Sequence, residues 1–142
     1  MILTNMIGVD PIFRHGAVRW YKEPKQGMAY LVGLDPSLGT GGDPSAIVIF
    51  EVPSMQQVGE WSHNKTPIPQ QIRILIEINK YLSEKCGDPN NIYYSVENNT
   101  IGEAALQSIA EVGEENITGI FLSEPKGHGN SRTYRRGFNT TH

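Results

Sequence analysis

The chain has 142 residues, 38% of them hydrophobic and 8% aromatic, a size that fits one globular domain and leaves little room for a second core. Its single cysteine, Cys86, cannot form an internal disulfide, and a formal net charge of -3 carries no global signature of nucleic-acid binding. Residues 1–13 lack the basic start and continuous apolar run of a leader, and no later stretch approaches the roughly 20 apolar residues that span a bilayer, so the expected compartment is a reducing cytoplasm with no membrane partner.

Residues 1–27 read as an N-terminal arm or linker, with Val18, Trp20 and Tyr21 a short strand or part of that arm before Pro24 and Gly27. The run Met28 to Asp35 (MAYLVGLD) ends in Pro36, Ser37 and a glycine-rich stretch to Gly42, the pattern of a buried strand followed by a turn. Ala46 to Glu51 (AIVIFE) is rich in β-branched residues, and Gln57 to Trp61 follows after Pro53 and Ser54, so three strands form an antiparallel meander. The period then changes. Ile72, Leu75, Ile76, Asn79 and Leu82 recur at steps of three and four, which predicts a helix with Thr66 as N-cap, Pro67 at the first helical position and Gly87 as the stop.

Ile92 to Glu97 (IYYSVE) is the fourth strand by its β-branched and aromatic content. Thr100 and Glu103 are spaced as a capping box opening a second helix, whose apolar residues run from Ala104 to Val112 and which Gly113 closes. Thr118 to Leu122 (TGIFL) is a fifth strand, and Glu124 to Arg136 is a polar loop or exposed hairpin. Strand and helix alternate after the meander, which calls for parallel strands with right-handed crossovers. The predicted class is therefore α/β, a mixed sheet of about five strands with helices on its faces.

Two carboxylates stand out by position, because Asp35 ends the first strand of the meander and Glu97 ends the fourth strand. If those strands are parallel neighbours, about 4.8 Å apart, both side chains reach one pair of ions at the sheet edge where α/β active sites gather. Hard ions such as Mg²⁺ take oxygen ligands and neutralise carboxylates that would otherwise repel one another. Plainer roles compete with this. Asp35 before Pro36 suits a turn, Glu97 suits a salt bridge or a cap, and Glu51 also ends a strand. Asp43, eight residues beyond Asp35 across a flexible loop, reaches the same place or serves a turn with Pro44.

Other chemistries find less support. Gly39, Gly41 and Gly42 are not followed by the Gly-Lys-Ser/Thr of a P-loop, the four histidines are scattered without zinc spacing, and no Gly-x-Ser-x-Gly marks a serine nucleophile. The charge is unevenly spread. From Ser123 to His142, Lys126, Arg132, Arg135 and Arg136 stand against Glu124 alone, so that tail carries +3 and the first 122 residues carry -6. Local cations set phosphate affinity, so any DNA contact is expected there, although a solvated basic terminus reads the same way.

In order and pattern these residues resemble the nuclease half of T4-like tailed-phage large terminases. Tyr30 to Ile47 (YLVGLDPSLGTGGDPSAI) resembles the family's first motif, Tyr94 to Ala104 (YSVENNTIGEA) its second, and Arg132 to Thr140 (RTYRRGFNTT) its late basic hairpin and Gly-Phe-x-Thr stretch; VRWYKEPKQGMAY resembles the approach to the nuclease core. The resemblance covers about residues 17–142. It implies an RNase H-like core over residues 28–142, Asp35 and Glu97 as catalytic metal ligands, Asp43 as an auxiliary acid near the metals, and a two-metal Mg²⁺ or Mn²⁺ site.

The implied function is a phosphodiester hydrolase that cuts concatemeric double-stranded DNA during packaging in the cytoplasm of an infected bacterium, with Lys126, Arg132, Arg135 and Arg136 on the DNA backbone. The implied partners are a terminase ATPase domain, a portal protein and a small terminase subunit. The family's ATPase motor and the C-terminal helical portion with its third catalytic Asp are absent from these 142 residues, so weak or no cleavage is expected of this chain. The alternatives are another RNase H-like nuclease, such as a junction resolvase, and a non-catalytic DNA-binding module.

Overall fold

A computed structural model describes residues 10–97, 101–125 and 134–136, the backbone alone for 123–125 and 134–136. Among the described residues nine strands and two α-helices follow the order β1 (Phe13–His15), β2 (Val18–Trp20), β3 (Ala29–Asp35), β4 (Ser45–Val52), β5 (Gln56–His63), α1 (Ile68–Cys86), β6 (Ile92–Val96), α2 (Gly102–Val112), β7 (Ile120–Phe121), β8 (Ser123–Pro125) and β9 (Tyr134–Arg136). The first seven strands make one sheet in the order β1-β2-β5-β4-β3-β6-β7, and β8 pairs with β9 in a separate antiparallel ribbon.

The predicted architecture is present: β3, β4 and β5 are an antiparallel meander, while β6 and β7 add in parallel beside β3. The parallel pairings follow from α1 and α2, each of which carries the chain back across the sheet between successive strands. The sheet is wider than five strands, because β1 and β2 extend it past β5. A three-residue strand has too few alternations to register as a period in the sequence; pairing of Arg19 with Glu60 and Trp20 with Gly59 holds β2 in place.

The core lies between the sheet and the helices. Alternate residues of β3 and β6, namely Tyr30, Val32 and Leu34 with Ile92, Tyr94 and Val96, are almost wholly buried and meet Ile72, Leu75, Ile78 and Leu82 of α1 and Ala105 and Ile109 of α2. Polar residues are built into this core. Asn79 of α1 is fully buried and donates its Nδ2 to the Thr118 carbonyl at 2.9 Å, tying the helix to the approach of β7. Tyr94 stacks on Phe121 across the β6–β7 pair at 4.9 Å between ring centres.

Two helix ends differ from expectation. The N-cap of α1 is Pro67, in an extended conformation without a side-chain cap, and not Thr66. The Thr66 hydroxyl is engaged by the His63 ring at 2.9 Å and its carbonyl by Gln71, so neither follows the N-cap pattern. The capping-box Thr100 lies outside the described residues, and the N-cap of α2 is Ile101. The stops are as predicted, with Gly87 and Gly113 at positive φ accepting no side-chain penalty at the two C-caps. Among the described residues no helix is long and apolar enough to cross a membrane.

Burial pushes the phenols of Tyr21, Tyr30 and Tyr81 above their ordinary value, helped at Tyr21 by Glu60 and at Tyr81 by Glu23, and opposed at Tyr30 by the Lys25 N–H that its oxygen accepts. A raised folded-state value means that the folded protein holds these protons more tightly than the unfolded chain does. Their contribution to stability is thus complete below about pH 10, the unfolded value, and is lost as pH rises through the folded ones. Denaturation midpoints are expected to fall above that pH, and a flat profile there would contradict this.

Candidate metal centre

Asp35 and Glu97 lie side by side. In the parallel pair, Leu34 is opposite Val96, and the Glu97 N–H donates to the Leu34 carbonyl at 2.8 Å, so the next residue on each strand is a carboxylate. Both are half-buried and stand at the carboxyl ends of their strands, with adjacent strands about 4.8 Å apart. The alternation that buries Leu34 and Val96 against the helices turns the following residue of each strand away from them.

Beyond Asp35 the glycine-rich loop bounds an open cleft of about 580 Å³, lined by Asp35, Ser37, Gly39, Asp43, Ser62 and Ile101 among others. Asp43 is exposed on the wall of the same cleft, on the far side of the loop from Asp35. Ile101, the N-cap of α2, brings the start of that helix to the cleft. Glu51, the other strand-ending carboxylate, is at the opposite end of the sheet, because β4 runs antiparallel to β3 and Glu51 pairs with Tyr30. There it is buried and ion-paired with Lys22 at 3.1 Å, a structural role.

Among the described residues no three His, Cys, Asp or Glu side chains converge as a group that could hold a metal ion. What the sheet assembles is the carboxylate pair Asp35 and Glu97, and Asp43 shares the cleft with Asp35. This donor set consists of hard oxygens, of the kind that Mg²⁺ and Mn²⁺ take singly or in pairs while keeping water in their remaining positions. His63 ends β5 at the same edge, opposite Ser45, but its Nδ1 accepts the Lys65 N–H at 3.1 Å and meets the Thr66 hydroxyl, which commits that nitrogen to the backbone.

Lys126 and Arg132 lie outside the described residues. Arg135 and Arg136 are on β9, opposite Glu124 and Ser123, in the two-stranded ribbon.

The site also contains residues that the motif reading passed over. Gln71, fully buried on α1, donates its Nε2 to the carbonyls of Ser37 and Thr66 at 2.8 and 2.7 Å. Asn64 and Gly41 are joined by two hydrogen bonds, from the Gly41 N–H to the Asn64 carbonyl and from the Asn64 Nδ2 to the Gly41 carbonyl. A signal for Gln71 was present, since its spacing to Leu75, Ile78 and Leu82 sets it on the apolar face of the helix.

No family model matches the sequence, and no protein of assigned function matches it by sequence. Solved structures do match by shape. The crystal structure of the large terminase nuclease from thermophilic phage G20c aligns with a TM-score of 0.55 and 19% identity over 72% of this chain and 50% of that one. The same nuclease with bound magnesium gives 0.57 and 17% over 79% and 53%, and with bound cobalt 0.57 and 16% over 86% and 57%. The fold is RNase H-like. The chain spans about half the length of these structures, and at such identities the likeness establishes the fold alone.

Proposed function

We propose that this chain is the nuclease core of a T4-like phage large terminase, a metal-dependent DNA endonuclease module that cuts concatemeric double-stranded DNA during packaging. The observation that carries the reading is the register of β3 with β6, which sets Glu97 beside Asp35 at the carboxyl edge of a parallel pair. The shape match to a terminase nuclease that binds magnesium and cobalt supports it, as do the sequence motifs around both acids.

In this reading Asp35 and Glu97 hold the metals and Asp43 contributes from the cleft wall. Bound there, a pair of Mg²⁺ or Mn²⁺ ions would activate the attacking water and stabilise the departing oxygen of the phosphodiester. The two carboxylates fix where the scissile phosphate lies, and the cleft between the glycine-rich loop and the start of α2 admits it. The chain's partners in this reading are a terminase ATPase domain, a portal protein and a small terminase subunit in the infected bacterium's cytoplasm.

Titration with Mn²⁺ tests the reading. Saturable binding that Glu97→Gln weakens supports it, whereas a chain that takes up no Mn²⁺ but binds duplex DNA is a non-catalytic module. A second prediction concerns the tail: Arg135→Ala with Arg136→Ala should weaken duplex binding alike at all sequences and lower the salt slope by about 1.8 for two phosphate contacts, at 0.9 each. Equal salt slopes for wild type and double variant would remove these arginines from the interface.

A further inference from the structure

Gln71 occupies a core position of α1 and is as fully excluded from solvent as Leu75 and Leu82 on the same face. A leucine or methionine would fill such a position without stranding a polar atom. The Gln71 Oε1 is buried with no hydrogen-bond partner, so the amide is poorly accounted for by packing. Its other half is fully used. One nitrogen ties the Ser37 carbonyl, two residues beyond Asp35, to the Thr66 carbonyl at the entrance of α1, at 2.8 and 2.7 Å.

Two further contacts act in the same direction. Gly39 has φ +76°, and a Cβ there would collide with the Thr66 carbonyl oxygen, so only glycine lets the loop approach that closely. Gly41 and Asn64 then close the lacing with their two hydrogen bonds, 2.8 and 3.1 Å long. The loop from Asp35 to Asp43 is therefore fastened to residues 64–67 and α1 at Ser37, Gly39 and Gly41, with Gln71 at the fastening nearest the carboxylate.

We infer that Gln71 is a positioning residue for Asp35, holding the turn that leaves β3 so that the carboxylate keeps one geometry beside Glu97. The need for such a device follows from the sheet. Asp35, opposite Ala46, is the last ladder residue of the β3–β4 pair. Metal ligands tolerate displacements of only about 0.5 Å, so the backbone just past a strand-ending ligand has to be held, and the Gln71 amide fastens it at Ser37. The inference rests on reading Asp35 as a metal ligand.

Gln71→Met in the full chain is the test, with three measurements: thermal melting, amide hydrogen exchange and Mn²⁺ titration. Exchange of the Gly41 N–H is expected to speed up about tenfold while Val32 and Ile49 in the β3–β4 ladder stay protected. Mn²⁺ affinity is expected to fall about tenfold, the effect of losing a partner that orients a metal ligand. The melting temperature should fall by only a few degrees, since methionine fills the site but leaves the Ser37 and Thr66 carbonyls without their donor. Gly39→Ala, which opens the same fastening from the loop side without touching the core, should give the same signature and serves if Gln71→Met does not fold.

Unchanged Gly41 exchange, or faster exchange with wild-type Mn²⁺ affinity, overturns the inference and leaves Asp35 as a ligand. Mn²⁺ binding by the wild type that Asp35→Asn does not weaken overturns the ligand reading itself, and the inference with it.

Discussion

Asp35→Asn is expected to lower Mn²⁺ affinity about a hundredfold, or about 2.7 kcal/mol, while leaving the metal-free melting temperature unchanged or slightly higher. The two halves of this result have one cause. Asp35 and Glu97 follow Leu34 and Val96 at adjacent positions of neighbouring strands, and two like charges on adjacent strands oppose each other by roughly 1–3 kcal/mol at a partly exposed site. Asparagine keeps the shape of aspartate and one acceptor oxygen but removes that opposition, and removes one of the negative charges that would hold an ion. A turn role for Asp35 before Pro36 predicts the reverse pattern: a lower melting temperature, with metal binding unaffected. Isothermal titration and thermal melting of the same two samples separate the cases.

Trp20→Ala is expected to have the largest effect on stability, about 3–5 kcal/mol, the range for deleting a buried aromatic side chain. Trp20 is 1% exposed, with ring centres 6.1 Å from Phe13 and 5.2 Å from Tyr81 of α1. It also lies against Gly59 of β5, where an added Cβ would come within 2.9 Å of its ring. The indole thus fills a space bounded by β1, β5 and α1, which neighbouring side chains cannot close. The same measurement decides whether residues 13–20 act as part of the domain or as a separable arm. A loss below about 1 kcal/mol, the scale of an exposed substitution, would mean that β1 and β2 can leave the sheet without cost to the rest.

The parts of this protein legible in its sequence are those with a strong local period. The strands through Val32, Val48 and Tyr94 and the helix through Ile72, Leu75 and Leu82 are written in β-branched runs and three-four spacing, and glycines at 87 and 113 mark the helix ends. The sequence leaves the N-terminal segment open as strand or arm because β1 and β2 have three residues each, and the place of β2 depends on Glu60 and Gly59 across the sheet. Thr66 satisfies the local rule for an N-cap, yet its polar groups serve His63 and Gln71. Tertiary partners outbid a local preference worth about 1 kcal/mol.

For the candidate site, the sequence alone determined which acids end the strands, Asp35, Glu97 and Glu51, since strand ends follow from composition and turn residues. Position at a strand end did not rank them, although the motif resemblance singled out Asp35 and Glu97. Strand direction and register then decide what each one meets: β6 runs parallel to β3 and brings Glu97 to Asp35, while β4 runs antiparallel and carries Glu51 to the far edge, where Lys22 neutralises it. The lacing of the glycine-rich loop by Gln71 and Asn64 was likewise decided in three dimensions, because one amide spans residues 37, 66 and 71. Period and propensity are properties of neighbours along the chain. Register, pairing and the partner of a buried amide depend on which distant segments the core brings together.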